Sequence, residues 1–186
     1  MNLKELFTRE EIKDLAISTL AISLIFAYPR FEAFFLYLIT VTLAFVFHEL
    51  AHKFVAIKFH CSAYYEMWPL GLLLGVLLMF LGLKFVAPGA VIIRPYRFSR
   101  WGFRVTRLTI PENGIIALSG PLVNLVFASI FYPISFLSFI SNVNAWLAFF
   151  NLLPIPPLDG SKIIQWKPWL WFLLMIFAFL LVSRFF

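Results

Sequence analysis

The chain has 186 residues, of which 62% are hydrophobic, 19% aromatic and only 13% charged, and its mean hydropathy is +0.93. This composition excludes an ordinary soluble domain of this size, and the single cysteine, Cys61, excludes an intrachain disulfide. The basic residues behind the net charge of +6 border apolar segments, which is typical of loops at an anionic membrane surface and not of nucleic-acid binding. Because the apolar segments are long and continuous, the sequence predicts an all-α polytopic membrane protein rather than a barrel.

The first part of the chain is expected to form a surface helix followed by two membrane spans. Residues 1–13 are too polar and amphipathic for a cleaved signal peptide, so the apolar residues 15–28 are expected to be a retained anchor. The second span runs from about Ala33 to Lys58. Near its end, the side chains of Lys53 and Lys58 are expected to reach the membrane interface. Residues 60–66 are interpreted as a polar break.

The second span carries the pattern His-Glu-x-x-His at residues 48–52. Residues four apart lie on one face of a helix, so His48 and His52 can bind one metal ion together. Glu49 can place its carboxylate beside that metal and act on a metal-bound water. Ionisable groups at membrane depth are costly, so three of them in five residues predict a functional site. The alternative is that these groups only form hydrogen bonds and ion pairs between packed helices.

The middle of the chain is apolar but broken by helix-disrupting residues. Residues 68–86 contain Pro69 and three glycines and are barely long enough to cross a membrane, so we expect a re-entrant segment that enters and leaves on the same side. Residues 87–93 and 103–110 predict short interfacial β-strands, the second of which alternates basic and apolar residues. Five arginines between Arg94 and Arg107 indicate that this segment lies at a membrane interface.

The last third of the chain predicts further spans. Residues 115–139 form an apolar run that Gly120 and Pro121 are expected to interrupt early. The polar residues 141–144 are interpreted as a short link that allows only an antiparallel return. The next apolar run, residues 145–153, ends in a proline-rich segment where regular helix stops, and residues 169–182 predict the last span.

A catalytic zinc site normally takes three protein ligands and keeps one position for water. Asp159 is the acidic residue that follows an apolar run whose helix is broken, so the prolines can turn it into the bundle towards the two histidines. Glu66 and Glu112 lie in polar breaks, and His60 follows a helix end. The sequence therefore predicts Asp159 as the third ligand. The alternative is a plain interfacial turn with a solvated Asp159.

Three segments together resemble the site-2 protease family of intramembrane zinc metalloproteases. They are F-H-E-L-A-H at residues 47–52, S-G-P-L-V-N at residues 119–124, and residues 151–160, which end in P-P-L-D-G. The resemblance implies a three-helix catalytic core, about residues 33–60 and 113–160, with flanking transmembrane helices. It also implies a single membrane-embedded metalloprotease domain, residues 1–186, which has no room for the PDZ or CBS domains of some family members.

The same resemblance implies an activity and a set of site residues. It implies one zinc ion per chain, held by His48, His52 and Asp159, with Glu49 as general base. The reaction would be hydrolysis of peptide bonds within or near transmembrane segments of membrane-anchored proteins. The resemblance also suggests that two asparagines, Asn124 and Asn151, line the substrate cleft. From the residues alone, both could instead join packed helices through hydrogen bonds.

Three other functions fit parts of this pattern. A non-catalytic membrane binding or chaperone-like protein could keep a structural zinc site, which would need a fourth protein ligand such as His60 or Cys61. The other multispan class of His-Glu-x-x-His proteases would take its third ligand from a later glutamate, but no glutamate follows Glu112. A zinc transporter would need further histidines or acids along a path.

The distribution of basic residues predicts how the chain crosses the membrane. If residues 68–86 re-enter, Arg30 and Arg184 lie on one side and the other thirteen of the 15 basic residues lie on the opposite side. This bias satisfies the positive-inside rule. We therefore expect a multi-pass cell-membrane protein with five crossings, a cytoplasmic N-terminus, an outside C-terminus and an active site nearer the cytoplasm.

Overall fold

A computed structural model describes residues 6–84, 86–99, 102–105 and 107–183 of the chain. The helices are α1 (Arg9–Ala27), α2 (Phe34–Val41), α3 (Phe47–Lys58), α4 (Pro69–Phe80), α5 (Ile110–Phe131), α6 (Ser138–Asn151), α7 (Asp159–Trp166) and α8 (Pro168–Ser183). The strands β1 (Cys61–Met67), β2 (Gly89–Ser99) and β3 (Gly102–Val105) form an antiparallel sheet in the order β1-β2-β3. The described part of the chain is therefore mostly helical, with one small sheet.

One continuous helical segment, Phe31–Lys58, contains α2 and α3 and passes between them through a π-helical turn, Thr42–Val46. Such turns interrupt regular helical hydrogen bonding and are frequent at functional sites. This segment and α5 are the two helices of the described residues that are long and apolar enough to cross a membrane. Together they indicate a membrane protein.

Helix α5 packs mainly against α3, α6 and α7. Small side chains allow close approach, since Ala117 and Ala128 of α5 and Ala148 of α6 are each at most 2% exposed. Larger apolar side chains, among them Leu152 and Ile163, fill the space between α5, α6, α7 and α8. This packing holds α3 and α7 on neighbouring sides of α5.

The N-terminal helix α1 packs against β1 through a buried polar group that we call the Glu11 cluster, formed by Glu11, Ser18, Lys53 and Tyr65. Glu11 and Lys53, which are 2% and 1% exposed, form an ion pair. The other carboxylate oxygen of Glu11 accepts a hydrogen bond from the Tyr65 amide at 3.0 Å. The Tyr65 hydroxyl donates to Ser18 at 2.9 Å, and burial raises the pKa of this phenol. The cluster thus joins α1, α3 and β1.

Several predictions for the N-terminal half are wrong. The surface helix and the separate first span are one helix, because α1 begins at Arg9 after the N-cap Thr8 and continues to Ala27; residues 1–5 lie outside the described part. Lys53 does not reach an interface, because it is buried against Glu11. Residues 60–66 are not a simple polar break, since Cys61–Met67 form β1, whose alternate residues are buried.

Two predictions for the C-terminal half are also wrong. Pro121 does not interrupt its helix, because α5 continues through it to Phe131. Residues 141–144 are not a link but part of α6, in which Ser141 and Asn144 are buried. The connection between α5 and α6 is formed instead by residues 132–137, which include a short 3-10 helix, Ser135–Leu137.

The structure contains two strands at the positions predicted for the middle of the chain. β2 and β3 overlap residues 87–93 and 103–110, although Thr109 already caps the N-terminus of α5. The side chains of Arg97, Arg100 and Arg104 lie outside the described part, so the interfacial placement of these strands stays a prediction.

Helix α4 rises about 18 Å at 1.5 Å per residue, which is less than the ~30 Å core of a bilayer. Re-entry of this segment also stays a prediction.

Candidate metal centre

The two histidines of α3 lie one turn apart and face α5. His48 and His52 are 4% and 7% exposed, and their Nε2 atoms are 3.0 Å apart. The Nδ1 of His48 lies 2.6 Å from Oδ1 of Asn124, and the Nδ1 of His52 lies 2.8 Å from the carbonyl oxygen of Ile116. Both partners accept hydrogen bonds, so each ring donates from Nδ1 and presents the lone pair of Nε2.

Asp159 reaches the histidines from the other end of the chain. It is the first residue of α7, is 7% exposed, and follows the non-helical residues 152–158. Its Oδ2 lies 3.4 Å from Nε2 of His48 and 3.1 Å from Nε2 of His52. The expected closeness of these three residues is therefore present in the structure, although they are more than a hundred residues apart in sequence.

Two contacts hold the segment that carries Asp159. A Cβ at Gly160 would lie 2.0 Å from the carbonyl oxygen of Leu152, so only glycine allows the chain to fold back this closely. The indole nitrogen of Trp171 in α8 donates to that same carbonyl at 2.7 Å. Because regular helix is absent here, the Trp171 indole satisfies a backbone carbonyl that would otherwise lack this donor, and Gly160 allows the close packing of the segment.

The donor set fits a divalent metal ion. Two imidazole nitrogens and one carboxylate oxygen converge within 4.8 Å of one another, and all three present lone pairs. Their separations of 3.0, 3.1 and 3.4 Å are close to the spacing of about 3.3 Å that a tetrahedral zinc with bonds of about 2.0–2.1 Å requires. Such a set of acceptors repels itself unless a cation lies between its atoms. Three protein ligands also leave the open position that a catalytic zinc site needs.

Helix α5 leaves space for this site at Gly120. A Cβ there would lie 2.4 Å from Nε2 of His52 and 2.7 Å from Nε2 of His48, the two atoms that could bind a metal. Any side chain at this position would occupy the site itself. The backbone of α5 therefore forms one wall of the candidate metal centre.

Glu49 directly follows His48 in α3 and is half-buried. Its Oε2 accepts a hydrogen bond of 3.2 Å from the amide of Val91 in β2. The sheet thus fixes one oxygen of the predicted general base. At Asp159, the oxygen that does not face the histidines forms an ion pair with Lys162, whose Nζ lies 3.5 Å from Oδ1. This ion pair leaves Oδ2 of Asp159 directed at the histidines.

The two predicted substrate contacts lie in different surroundings. Asn124 is fully buried and contacts His48, so the structure brings it to the metal centre. Asn151, the last residue of α6, is half-buried and donates to the carbonyl of Leu147 at 3.0 Å. The contacts of both asparagines are with groups of the protein itself, so their role in a substrate cleft stays a prediction.

The remaining candidate ligands lie elsewhere. Within the described residues, the group that could hold a metal contains neither His60, which is exposed, nor Cys61, whose thiol contacts the carbonyl of Phe59. Glu66 is exposed, and Glu112 forms a capping box with Thr109 at the start of α5. The described residues thus provide no fourth protein ligand of the kind a structural zinc site requires.

The sequence did not identify four contacts at this site. Lys162 lies three residues after Asp159 in a helix, a spacing that could have indicated the ion pair. The amide of Val91 and the carbonyl of Ile116 are backbone groups, for which the sequence offers no signal. The polar residues around Asn144 predict a link, although Asn144 lies within α6 and accepts a hydrogen bond from Asn124.

Comparisons with known proteins agree with the chemistry of this centre. The sequence model of Peptidase family M50 matches residues 132–167, which include the Asp159 segment. The protein of Methanocaldococcus jannaschii named "Putative zinc metalloprotease" is 43% identical over 180 residues, covering 89% of this chain and 88% of that protein. A protein of the same name from Bacillus subtilis is 30% identical over 156 residues, covering 68% of this chain and 66% of its own. No solved structure matches the chain. The chain therefore belongs to Peptidase family M50, the site-2 protease family, and is a zinc metalloprotease.

Proposed function

We propose that this protein is an intramembrane endopeptidase that cleaves peptide bonds within or near the transmembrane segments of membrane-anchored proteins. The observation that carries the proposal is the convergence of His48, His52 and Asp159 at a buried site beside two helices apolar enough to cross a membrane. In this proposal the three side chains hold one zinc ion per chain. Glu49 is the general base.

The roles of the residues follow from their contacts. A zinc ion held by these three side chains would lower the pKa of a water molecule and polarise a peptide carbonyl. Glu49 would accept a proton from the attacking water and deliver it to the leaving amine nitrogen. The hydrogen bond from Val91 to Oε2 leaves Oε1 of Glu49 as the oxygen that can exchange the proton. Lys162 and the Nδ1 partners of the histidines keep the ligand atoms directed at one point.

The membrane setting of the site is also a proposal. Helix α8 exposes a continuous apolar surface, and so does α4, which is expected for contact with lipid. The most exposed of these side chains are Leu70, Phe80, Trp169 and Leu180. We propose five crossings with α4 re-entrant, and an active site nearer the cytoplasmic side. Labelling of single cysteines introduced at residues 94–107 should report the cytoplasmic side, and labelling from outside would contradict this topology.

The rest of the proposal concerns the substrate and the extent of the domain. The substrate is a membrane-anchored protein whose helix unwinds locally before cleavage, since helical amides are otherwise occupied by hydrogen bonds. Asn151, at the end of α6 and next to the segment that carries Asp159, remains the better placed of the two candidate substrate contacts because it is partly accessible. Residues 1–186 act as a single metalloprotease domain in this proposal.

The central test separates a ligand from a base. Protein purified in detergent is incubated with a single-span model substrate, with and without a chelator, and its zinc content is measured. Glu49→Gln should keep its zinc and lose cleavage, because the amide cannot accept the proton. His48→Ala should lose both zinc and cleavage. Undiminished cleavage by Glu49→Gln, or equal loss of zinc in the two variants, would contradict these roles.

A further inference from the structure

A chain of buried amide groups connects α6 to the candidate zinc site. The Nδ2 of Asn144 donates to the carbonyl of Ile140 at 2.9 Å, and its Oδ1 accepts a hydrogen bond from Nδ2 of Asn124 at 3.0 Å. The Nδ2 of Asn124 also donates to the carbonyl of Ala44 at 2.7 Å, and its Oδ1 faces Nδ1 of His48 at 2.6 Å. Both asparagines are 0% exposed.

The carbonyl groups at the two ends of this chain of amide groups determine the direction of every hydrogen bond within it. The carbonyls of Ile140 and Ala44 can only accept, so each must face the NH2 end of an asparagine. Consequently Asn144 turns its oxygen to Asn124, and Asn124 turns its oxygen to His48. That oxygen requires a proton on Nδ1 of His48, which leaves Nε2 free to bind a metal.

We infer that Asn144 is a positioning residue, which keeps His48 in the metal-binding tautomer by holding the amide of Asn124 in one orientation. The inference rests on the proposed role of His48 as a zinc ligand. If the amide of Asn124 were to flip, its NH2 group would face His48, and the proton of the ring would have to move to Nε2. Asn144 opposes this flip because it offers an acceptor that only the NH2 end of Asn124 can use.

Ser141 provides a matched control for helix packing. It lies on α6 one turn before Asn144, is 1% exposed, and also bonds α5, through a hydrogen bond of 2.7 Å to the carbonyl of Ala128. In the structure this bond has no connection to His48. Ser141→Ala therefore removes a buried contact between the same two helices without changing the amide chain.

The experiment measures zinc affinity of the purified full chain by competition with a chelator. Asn144→Leu keeps the size of the side chain and removes both hydrogen-bonding ends, and should weaken zinc binding by about tenfold, the lower end of the range for groups that orient a metal ligand. Asn144→Asp should restore most of the affinity, because a protonated carboxyl can donate to Ile140 and accept from Asn124. Ser141→Ala should bind zinc as the unaltered protein does.

A second readout uses the metal-free protein. The chain has three histidines, so 15N-labelled imidazole spectra can be assigned with single His variants. His48 should carry its proton on Nδ1 in the unaltered protein and in Asn144→Asp, and should show a measurable Nε2-protonated fraction in Asn144→Leu. An unchanged tautomer and unchanged affinity in Asn144→Leu would overturn the inference, as would an equal loss of affinity in Ser141→Ala.

The inclusion of His48→Ala separates the two proposals. If His48→Ala keeps its zinc, the proposed function fails. If His48→Ala loses zinc while Asn144→Leu retains normal affinity, the zinc site stands and the role of Asn144 fails.

Discussion

The part of the chain that the structure describes contains two deeply buried acids, Glu11 and Asp159, whose surroundings differ in one respect. Glu11 faces the ammonium group of Lys53 and the amide of Tyr65, so its charge is balanced by the protein itself. Asp159 directs one oxygen at His48 and His52, whose Nε2 atoms present lone pairs because their Nδ1 protons are already donated. Lys162, whose side chain is 38% exposed, forms an ion pair with the other oxygen, Oδ1.

This difference separates a structural ion pair from a metal centre. A buried carboxylate with a built-in cation and a backbone donor has its charge and its hydrogen bonds satisfied, and joins the elements that carry those groups. A buried carboxylate among further acceptors is satisfied by a divalent cation. The partners of a buried acid, and not its burial alone, therefore indicate whether it binds a metal.

The largest effect should come from Asp159→Ala. Loss of this ligand should abolish proteolysis and weaken zinc binding by more than about a hundredfold, beyond the 10–100-fold typical of groups that only orient a ligand. Chelator competition and cleavage of a single-span substrate measure the two effects. Glu66→Ala and Glu112→Ala are the controls and should bind zinc normally, because neither side chain lies at the centre. Full zinc affinity in Asp159→Ala would remove the distinction between the two acids.

Removal of Glu11 should act on stability and not on metal binding. Glu11→Ala leaves the charge of Lys53 buried without its partner, so it should lower the free energy of unfolding by about 3–5 kcal/mol. Denaturation in detergent micelles measures this loss. The double variant Glu11→Leu with Lys53→Met removes both charges and should regain most of the stability. The comparison fails if the double variant is no more stable than the single one, or if either variant loses zinc affinity.

Gly120→Ala should affect the metal centre through space alone. Its methyl group would lie 2.4 Å from Nε2 of His52, so zinc affinity should fall by about 10- to 100-fold, an effect comparable to the loss of an orienting group. Gly75→Ala is the matched control, since its Cβ would meet Val86 at 2.9 Å and Ile25 at 3.1 Å, far from the site. The control should keep its zinc affinity whatever its stability. Equal zinc affinity in both variants would contradict the proposed position of the metal.

The smallest effect is expected for Trp171→Phe. This change removes the hydrogen bond to the carbonyl of Leu152 and should lower the free energy of unfolding by about 1 kcal/mol. Denaturation in micelles measures it, and Trp169→Phe on the exposed side of the same helix should change stability less. A larger effect at Trp169 would show that the indole of Trp171 is not what holds the Asp159 segment.

The principal residues of the candidate site could be predicted because a pattern in the neighbouring sequence marks each of them. A spacing of four places His48 and His52 on one helical face, and Asp159 is the acid that follows a run of helix-breaking prolines. The predicted group is the one that lies together in the structure. The two longest apolar helices could also be predicted, since length and hydropathy alone define them.

The contacts that depend on distant pairing could not be predicted. Glu11 and Lys53 are 42 residues apart, and nothing near either residue indicates that both are buried. The sequence of β1 indicates a polar break because its exposed residues are polar, although its alternate residues Cys61 and Tyr65 are buried against α3 and α1. Pro121 predicts a break in its helix, but a proline removes only one hydrogen bond, which a long packed helix tolerates.

Two of the contacts that orient the site use main-chain atoms, the amide of Val91 on Glu49 and the carbonyl of Ile116 on His52. Ordinary side-chain replacement leaves both groups in place, so an alanine scan reports the packing of the Val91 side chain and of the buried Ile116 side chain, and not these two hydrogen bonds. Sequence variation among relatives at these positions would likewise report side-chain packing. Backbone chemistry is needed to reveal such a contact, for example an ester bond in place of the Val91 amide, which deletes the N–H and keeps the side chain.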